Sequence, residues 1–144
     1  MILRRLKDIR EEYDLSQNEL ANILGITQQN YSYWETEEKI IPIEHLNNFC
    51  NYFKVSMDYV MDLSNIRCYK DYNENINKVV VGNRLKEIRD AKNLTQEKLA
   101  DLLNTSHSTL SSYENGKTML LTAFAYQIAT TYNISVDWLY GKTK

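Results

Sequence analysis

The chain has 144 residues, which suits one ordinary domain or two small ones. Its hydrophobic fraction of 43% and charged fraction of 25% are typical of a soluble globular protein, and a single proline and four glycines argue against an all-β or fibrous chain. No apolar run approaches the ~18 residues that a membrane-spanning helix needs, and the first residues lack the apolar stretch of a signal peptide. We therefore expect a cytoplasmic protein without a membrane segment.

The net charge of −2 is distributed unevenly along the chain. Residues 1–64 carry 6 basic and 11 acidic side chains, a net charge of −5, whereas residues 80–144 carry 8 and 6, a net charge of +2. The stretch between them has a net charge of +1. The acidic first half is poorly suited to a polyanionic partner, and the second half is better suited to one.

The cysteines and histidines predict no reactive centre. Cys50 and Cys68 are too few for a disulfide framework, and we expect one buried thiol on a helix and one in a linker, with a redox pair as the alternative. His45 and His107 have no cysteine or acidic neighbour at metal-ligand spacing. Neither a nucleophile–base pair nor a glycine-rich phosphate loop is evident. The sequence thus predicts no catalytic residue, no metal site and no cofactor, and argues against an enzyme.

The chain repeats itself at an offset of 79 residues. With that shift, the segment from Arg5 to Arg10 aligns with the segment from Arg84 to Arg89 without a gap, and 14 of the 58 positions in residues 5–62 are identical. Most other apolar positions agree in kind. We interpret this self-similarity as a duplication of one structural unit.

Each copy is predicted to form five short helices. In the first copy, Ser16 with Glu19 forms a capping box at the start of the second helix, and Gly25 is suited to end that helix. Thr27 then caps a third helix only two residues later. Two helices joined by so tight a turn must cross steeply, as in a helix-turn-helix. The matching residues of the second copy are Asn104 at the turn and Ser106 at the cap.

The rest of each copy follows the same pattern. Fourth helices are predicted at about residues 43–53 and 121–132, and Ser56 and Ser135 cap the fifth helices. We expect domains over residues 1–63 and 80–144, joined by an asparagine-rich linker over residues 64–79. The linker is either free coil or docked on a domain through Tyr69, Tyr72 and Ile76. The apolar face of the second helix is assigned to Leu20, Ile23 and Leu24. The predicted core of the first copy is Leu6, Ile9, Leu20, Leu24, Trp34, Leu46, Phe49 and Phe53.

Both copies resemble the Xre-like helix-turn-helix domains of phage repressors and Cro proteins. That family's motif places Ser/Thr-Gln-x-x-Leu-Ala at the second helix and Glu-x-Gly-Lys after the third. The second copy matches it with Thr95-Gln96, Leu99-Ala100 and Glu114-Asn115-Gly116-Lys117. The first copy matches it with Ser16-Gln17, Leu20-Ala21 and Trp34-Glu35, and then departs from it at Thr36-Glu37-Glu38. The resemblance implies an all-α chain of two five-helix, lambda-repressor-like domains joined by a linker.

The resemblance also implies a sequence-specific transcriptional regulator of double-stranded DNA, expected to be a repressor, with each third helix in the major groove. Gln17 and Gln96 stand where the family binds a phosphate. Glutamine can read adenine bidentately, and serine or threonine can serve several base edges. The third-helix residues expected to be exposed are Gln28, Gln29, Asn30 and Tyr33 in the first copy and His107, Ser108, Thr109 and Ser112 in the second. All of these except Asn30 are assigned to DNA contact, together with Asn115 and Lys117 in the loop after the second copy's third helix.

Two structural ion pairs are implied by the same resemblance. Arg10 and Glu35 recur at the same offset as Arg89 and Glu114, at positions where the family joins the first helix to the third. We expect both pairs to be at least partly buried.

A second function stays open at this point. The acidic first copy also fits a protein-interaction module, or an antitoxin-type partner, in which one copy has lost DNA binding. The salt dependence of DNA binding distinguishes the two functions. Phosphate contacts release counterions, so the affinity of a regulator for DNA falls steeply with salt, whereas a protein adaptor makes no phosphate contacts and shows no such slope. A homodimer or another protein partner is compatible with either function.

Overall fold

A computed structural model describes residues 3–144, which form ten helices and no strand. The chain divides into two compact units, the first ending at Lys70 and the second spanning Asp71–Lys144. The predicted fold class, with five helices in each copy, is confirmed. The first unit contains α1 (Arg4–Glu12), α2 (Gln17–Leu24), α3 (Gln28–Glu35), α4 (Ile43–Phe53) and α5 (Met57–Val60). The second contains α6 (Lys78–Lys92), α7 (Gln96–Leu102), α8 (His107–Glu114), α9 (Thr122–Tyr132) and α10 (Val136–Leu139).

The caps predicted from the sequence set the bounds of the second and third helices. Ser16 Oγ accepts the Glu19 amide at 3.0 Å, and the Ser16 amide donates to Glu19 Oε1 at 3.1 Å, which completes the capping box. Gly25 adopts the left-handed conformation, with φ of 71°, and Thr27 Oγ1 then accepts the Asn30 amide at 3.1 Å. Because the chain reverses within these few residues, α2 and α3 are held in a tight helix-turn-helix. The second unit repeats this turn with Asn104 at φ 53° and Ser106 as the cap.

The core of the first unit contains the predicted residues with one exception. Leu6, Leu20, Leu46 and Phe49 are fully buried. The prediction for Leu24 was wrong, because it is only half-buried. Ile23, also assigned to the apolar face of α2, is 42% exposed. Helix α2 packs mainly on α3 and α4, which bury Leu20 and leave the last turn of the helix partly exposed. The remaining predicted core residues, Ile9, Trp34 and Phe53, are buried.

The residues between the copies are packed on the two units. In the first unit, the Ser56 amide donates to the Arg67 carbonyl at 2.5 Å. In the second unit, the Asn73 amide donates to the Lys142 carbonyl at 2.7 Å, and α6 already begins at Lys78. The packing therefore assigns residues 64–70 to the first unit and residues 71–77 to the second.

The first helix of the second unit is longer than its counterpart, with 15 residues in α6 against 9 in α1. Gly82, in the second turn of α6, lies directly against the end of α8. A Cβ at that position would lie 2.5 Å from the Glu114 carbonyl oxygen and 2.7 Å from that of Tyr113. The backbones of the two helices can approach this closely only because the residue has no side chain.

Two further features bear on the expectations from composition. Cys50 is buried on α4, and Cys68 is exposed between the copies, as expected. None of the helices within residues 3–144 combines the length and apolarity needed to cross a membrane.

Candidate nucleic-acid interface

Helix α3 presents a polar surface at its N-terminal end. Gln28, Gln29 and Asn30 are exposed there, one after another. Tyr33 was also expected to be exposed, but it is half-buried. The Lys39 ammonium lies 4.7 Å from the centre of the Tyr33 ring, so the side chain following this helix covers part of the ring. The exposed amides are thus concentrated in the first turn of the helix.

Helix α8 presents a smaller polar surface. His107 and Ser108 are exposed, whereas Thr109 and Ser112, also expected to be exposed, are half-buried. Thr109 Oγ1 lies 2.8 Å from Ser106 Oγ, so the Thr109 hydroxyl is hydrogen-bonded to the residue that caps the helix. Two of the four predicted side chains are therefore exposed on this helix.

A bidentate ion pair joins the first and third helices of the first unit. Arg10 Nε donates to Glu35 Oε2 at 2.7 Å, and Arg10 Nη2 donates to Glu35 Oε1 at 3.0 Å. Arg10 also donates to the Leu15 carbonyl at 2.8 Å. The Glu35 side chain is only 4% exposed. Two parallel N–H···O bonds fix both the distance and the orientation of the partners, so the pair sets how α3 is held against α1.

The second unit has the same pair. Arg89 Nε donates to Glu114 Oε2 at 2.7 Å, Arg89 Nη2 donates to Glu114 Oε1 at 2.9 Å, and the guanidinium also reaches the Leu94 carbonyl at 3.2 Å. The Glu114 side chain is fully buried. Both ion pairs implied by the resemblance are therefore present as direct contacts.

The glutamine that begins the second helix is bound to this pair in each unit. Gln17 Nε2 donates to Glu35 Oε1 at 3.0 Å, and Gln96 Nε2 donates to Glu114 Oε1 at 3.1 Å. Both glutamines are half-buried. One N–H of each amide is used in this way, so the side chain is fixed in place while the amide retains a second N–H.

In the second unit, the chain of contacts continues to the third helix. His107 Nε2 lies 2.6 Å from Gln96 Oε1. Since an amide oxygen only accepts, the imidazole Nε2 must carry the proton and donate it. Arg89, Glu114, Gln96 and His107 thus form a continuous hydrogen-bonded series from the buried pair to the exposed start of α8.

The first unit has a tyrosine beside its ion pair that sequence reasoning did not find. Tyr31 is fully buried on α3, and Leu110 occupies the corresponding position of the second unit. Burial raises the pKa of Tyr31, and the neighbouring Glu35 carboxylate raises it further. Burial would also raise the pKa of Glu35, but hydrogen bonds from Arg10 and Gln17 and the nearby Tyr31 hydroxyl lower it below its ordinary value. Glu35 is therefore held as a carboxylate.

The loops after α3 and α8 differ in charge, although each has a residue of positive φ at the same position. Glu37 has a φ of 68° and Gly116 a φ of 69°, both in the left-handed region that favours glycine. Glu37 and Glu38 are exposed in the first unit, as are Asn115 and Lys117 in the second. The two loops therefore present side chains of opposite charge, with Glu38 at the position of Lys117.

Arg5 and Arg84 have a structural role that the sequence analysis did not predict. Arg5 Nη1 donates to the carbonyls of Tyr59 at 2.7 Å and Ser64 at 2.9 Å. Arg84 donates to the equivalent carbonyls of Trp138 and Thr143. Both arginines anchor the fifth helix of their unit, and the residues just after it, to the first helix. Their identity at the 79-residue offset was a signal in the sequence, although it did not show what they bind.

Comparison with known proteins agrees with the fold and the repeat. The sequence model described as helix-turn-helix matches residues 6–60 and again residues 85–139. The chain belongs to the helix-turn-helix family. The Xre-like resemblance, drawn from the two motifs, is thereby confirmed. Each match begins inside the first helix of one unit, at residue 6 in α1 and residue 85 in α6, and runs to the end of the fifth helix.

Two relatives come from Bacillus subtilis (strain 168). One is described as an uncharacterized HTH-type transcriptional regulator, YobD, and is 31% identical over 64 residues, which is 44% of this chain and 57% of the relative. The other is described as the HTH-type transcriptional regulator ImmR and is 37% identical over 62 residues, 43% of this chain and 49% of the relative. The matches thus span about half the length of either relative. No solved structure gave a significant match.

Proposed function

We propose that this helix-turn-helix protein is a sequence-specific DNA-binding transcriptional regulator, acting as a repressor through operator occupancy. The observation that carries the proposal is the glutamine at the start of each second helix, fixed by a buried ion pair beside the exposed first turn of the third helix. The same arrangement occurs twice, although most surrounding residues differ. Two curated relatives are themselves described as transcriptional regulators, which supports the same assignment.

The phosphate contacts are assigned to the N-termini of α2 and α7. A helix N-terminus presents unpaired amide donors and a partial positive charge, so it binds phosphate without a charged side chain. Gln17 and Gln96 each have a second amide N–H beyond the one bound to the ion pair. We assign that N–H to a phosphate oxygen. Phosphate binding of this kind suits a chain whose net charge is −2.

The base contacts are assigned to the first turns of α3 and α8, lying in the major groove. Gln28 and Gln29 offer amides that pair with adenine N6 and N7, and Ser108 offers a hydroxyl that suits several base edges. His107 is assigned first to holding Gln96, since its Nε2 is already engaged there. The half-buried Tyr33, Thr109 and Ser112 are assigned to the margin of the contact.

We assign most of the DNA affinity to the second unit. Its loop carries Asn115 and Lys117, an amide donor and a cation, whereas the corresponding loop of the first unit carries Glu37 and Glu38. Carboxylates facing phosphates repel them across a Debye length of about 8 Å in physiological salt. Lys39 offsets this only in part, because its ammonium lies over the Tyr33 ring.

The test is selection of binding sites from random double-stranded DNA, followed by titration of the selected site at several salt concentrations. A specific regulator is expected to enrich a defined site, with log K falling linearly against log[salt]. Failure to enrich any site, together with a flat salt response, would refute the proposal.

The alternative function is a protein-interaction module in which the first unit has lost DNA binding. Its support is the net charge of −5 in residues 1–64 and the exposed Glu37 and Glu38. Under this alternative, neutralising the first unit's acidic loop leaves DNA binding unchanged. The regulator proposal instead expects tighter binding from the same change.

A further inference from the structure

The second unit contains an apolar groove that does not include the residues assigned to DNA. It has a volume of about 380 Å³ and is lined by α6, the end of α9 and the residues leading through α10. Its main lining residues are Glu87, Ile88, Ala91, Tyr132, Ile134 and Trp138.

The internal repeat identifies the corresponding surface of the first unit. At the 79-residue offset, Glu87 aligns with Asp8, Ala91 with Glu12, and Trp138 with Tyr59. The two units are matched structurally up to the same point, because Arg84 binds the Thr143 carbonyl as Arg5 binds the Ser64 carbonyl.

In the first unit, this surface is covered by an extended segment of the chain itself. We call residues 64–70 the strap. Ser56 donates its amide to the Arg67 carbonyl at 2.5 Å and its hydroxyl to the Ile66 carbonyl at 2.9 Å. These two bonds hold the strap by its main chain, which any extended peptide could offer.

One side chain of the strap makes the charged contact. Arg67 Nη1 lies 3.1 Å from Glu12 Oε2, and its guanidinium lies 5.1 Å from the centre of the Tyr59 ring. Arginine is suited to this position because its planar cation stacks on an aromatic ring while pairing with a carboxylate. Ile66, by contrast, is 52% exposed and is not an anchor.

The second groove keeps the aromatic ring that receives this arginine, whereas Glu12, the carboxylate that pairs with it in the first unit, is replaced by Ala91. Trp138 stands at the position of Tyr59 and offers a larger ring. The Arg84 guanidinium lies 4.8 Å from its centre, as the Arg5 guanidinium lies 4.1 Å from the centre of the Tyr59 ring. Glu87 provides a carboxylate on the groove wall, and Ala91 replaces the bulkier Glu12 and so leaves more room. Lys92 also lines the groove, with its ammonium 5.9 Å from the Tyr132 ring centre.

We infer that this groove is a binding site for an extended, arginine-bearing peptide segment of a protein partner, whose arginine meets an aromatic ring as Arg67 of the strap does in the first unit. The arginine would stack on Trp138 and pair with Glu87. The site does not depend on the proposed DNA-binding function, because none of the residues assigned to DNA lines it.

The probe is a fluorescently labelled peptide with the sequence of Ser64–Lys70, carrying Cys68→Ser to prevent oxidation, titrated with the full chain by fluorescence anisotropy. We expect saturable binding below about 1 mM, and binding about tenfold weaker for the same peptide carrying Arg67→Gln. The chain variants Glu87→Lys and Ala91→Trp, the latter filling the groove without changing charge, should each weaken binding about tenfold or more.

The repeat supplies a matched control. Asp8→Lys makes the same charge change on the first unit, where the strap already lies, and should leave peptide binding within about twofold. Circular dichroism melts verify that each variant is folded. The proposal is overturned if the peptide does not bind at about 1 mM, or if Asp8→Lys weakens binding while Glu87→Lys does not. It is also overturned if the parent chain is a dimer that Ala91→Trp makes monomeric, since the groove would then be an interface between copies.

Discussion

His107 and Gln96 are joined by a hydrogen bond of 2.6 Å between the imidazole Nε2 and the amide Oε1, across the turn between α7 and α8. Gln96 is bound through its nitrogen to Glu114 at 3.1 Å, so both ends of its amide are engaged. A side chain held at both ends loses little conformational entropy when a ligand binds it. In the first unit, Gln28 occupies the position of His107.

The first prediction follows from this contact. His107→Ala should weaken DNA binding by up to about tenfold, because one hydrogen bond contributes about 0.5–1.5 kcal/mol to holding Gln96 in place. Unfolding should change little, since His107 is exposed. The measurement is anisotropy of labelled operator DNA, with thermal unfolding as the control.

The second prediction compares the two third helices. His107→Ala combined with Ser108→Ala should reduce operator affinity more than Gln28→Ala combined with Gln29→Ala, because the second unit is assigned the larger share of affinity. Gel-shift titrations of both double variants at one salt concentration give the comparison. If the glutamine pair abolishes binding and the His107 pair does nothing, the roles of the two units are reversed.

The third prediction concerns the loop after α3. Glu37→Gly should stabilise the first unit by about 1 kcal/mol, because it relieves a left-handed backbone at a non-glycine residue. Glu38→Lys alone should tighten DNA binding, and the double variant should do both. Thermal melts and operator titrations of the two single variants separate these effects. Unchanged affinity for both Glu38→Lys and the double variant would favour the protein-interaction alternative.

The fourth prediction concerns the buried pairs. Arg10→Ala or Arg89→Ala should each lower the free energy of unfolding by about 3–5 kcal/mol, because each leaves a buried carboxylate without its partner. Lys7→Ala, which breaks an exposed contact of 3.8 Å with Glu11, should cost less than about 0.5 kcal/mol and serves as the control. Chemical denaturation monitored by circular dichroism measures all three. A cost for Arg89→Ala no larger than that of the control would show that the pair is structurally unimportant.

The fifth prediction is a pH dependence of the first unit. The folded-state pKa of Glu35 is lowered below its ordinary value, so the stabilisation it provides is complete above the unfolded pKa of about 4.3 and is lost as pH falls through the folded pKa. Melts of a Trp138→Phe chain, read through Trp34 fluorescence, should shift to lower temperature below about pH 4. In the Glu35→Gln chain, already destabilised at neutral pH, this part of the acid response should be missing. An acid response identical in both chains would contradict the prediction.

The repeat explains why so much of the fold could be predicted from the sequence. Capping residues such as Ser16 and Thr27 act within three residues of themselves, so their role is local and visible in one dimension. The arginine and glutamate that recur 25 residues apart in both copies form a non-local pair, which was predicted because the family resemblance implied it.

The contacts that were not predicted depend on tertiary packing. The exposure of Leu24, Tyr33, Thr109 and Ser112 is decided by what neighbouring segments cover, and helical spacing alone gives no information on that. The strap was also not assigned to a surface, because its two main-chain bonds to Ser56 need no particular side chain.

Gly82 has a consequence for genetics. Its missing side chain allows α6 to lie against the carbonyl of Glu114, the residue that holds Gln96. Even a methyl group there would push the end of α8 away and disturb the hydrogen-bonded series that reaches His107. A random-mutagenesis screen for loss of promoter control should therefore recover substitutions of Gly82, on a helix assigned no DNA contact, alongside those of the third helix. Second-site suppressors should arise near the end of α8, at positions that restore space between α6 and α8, and not at positions that add contacts to DNA.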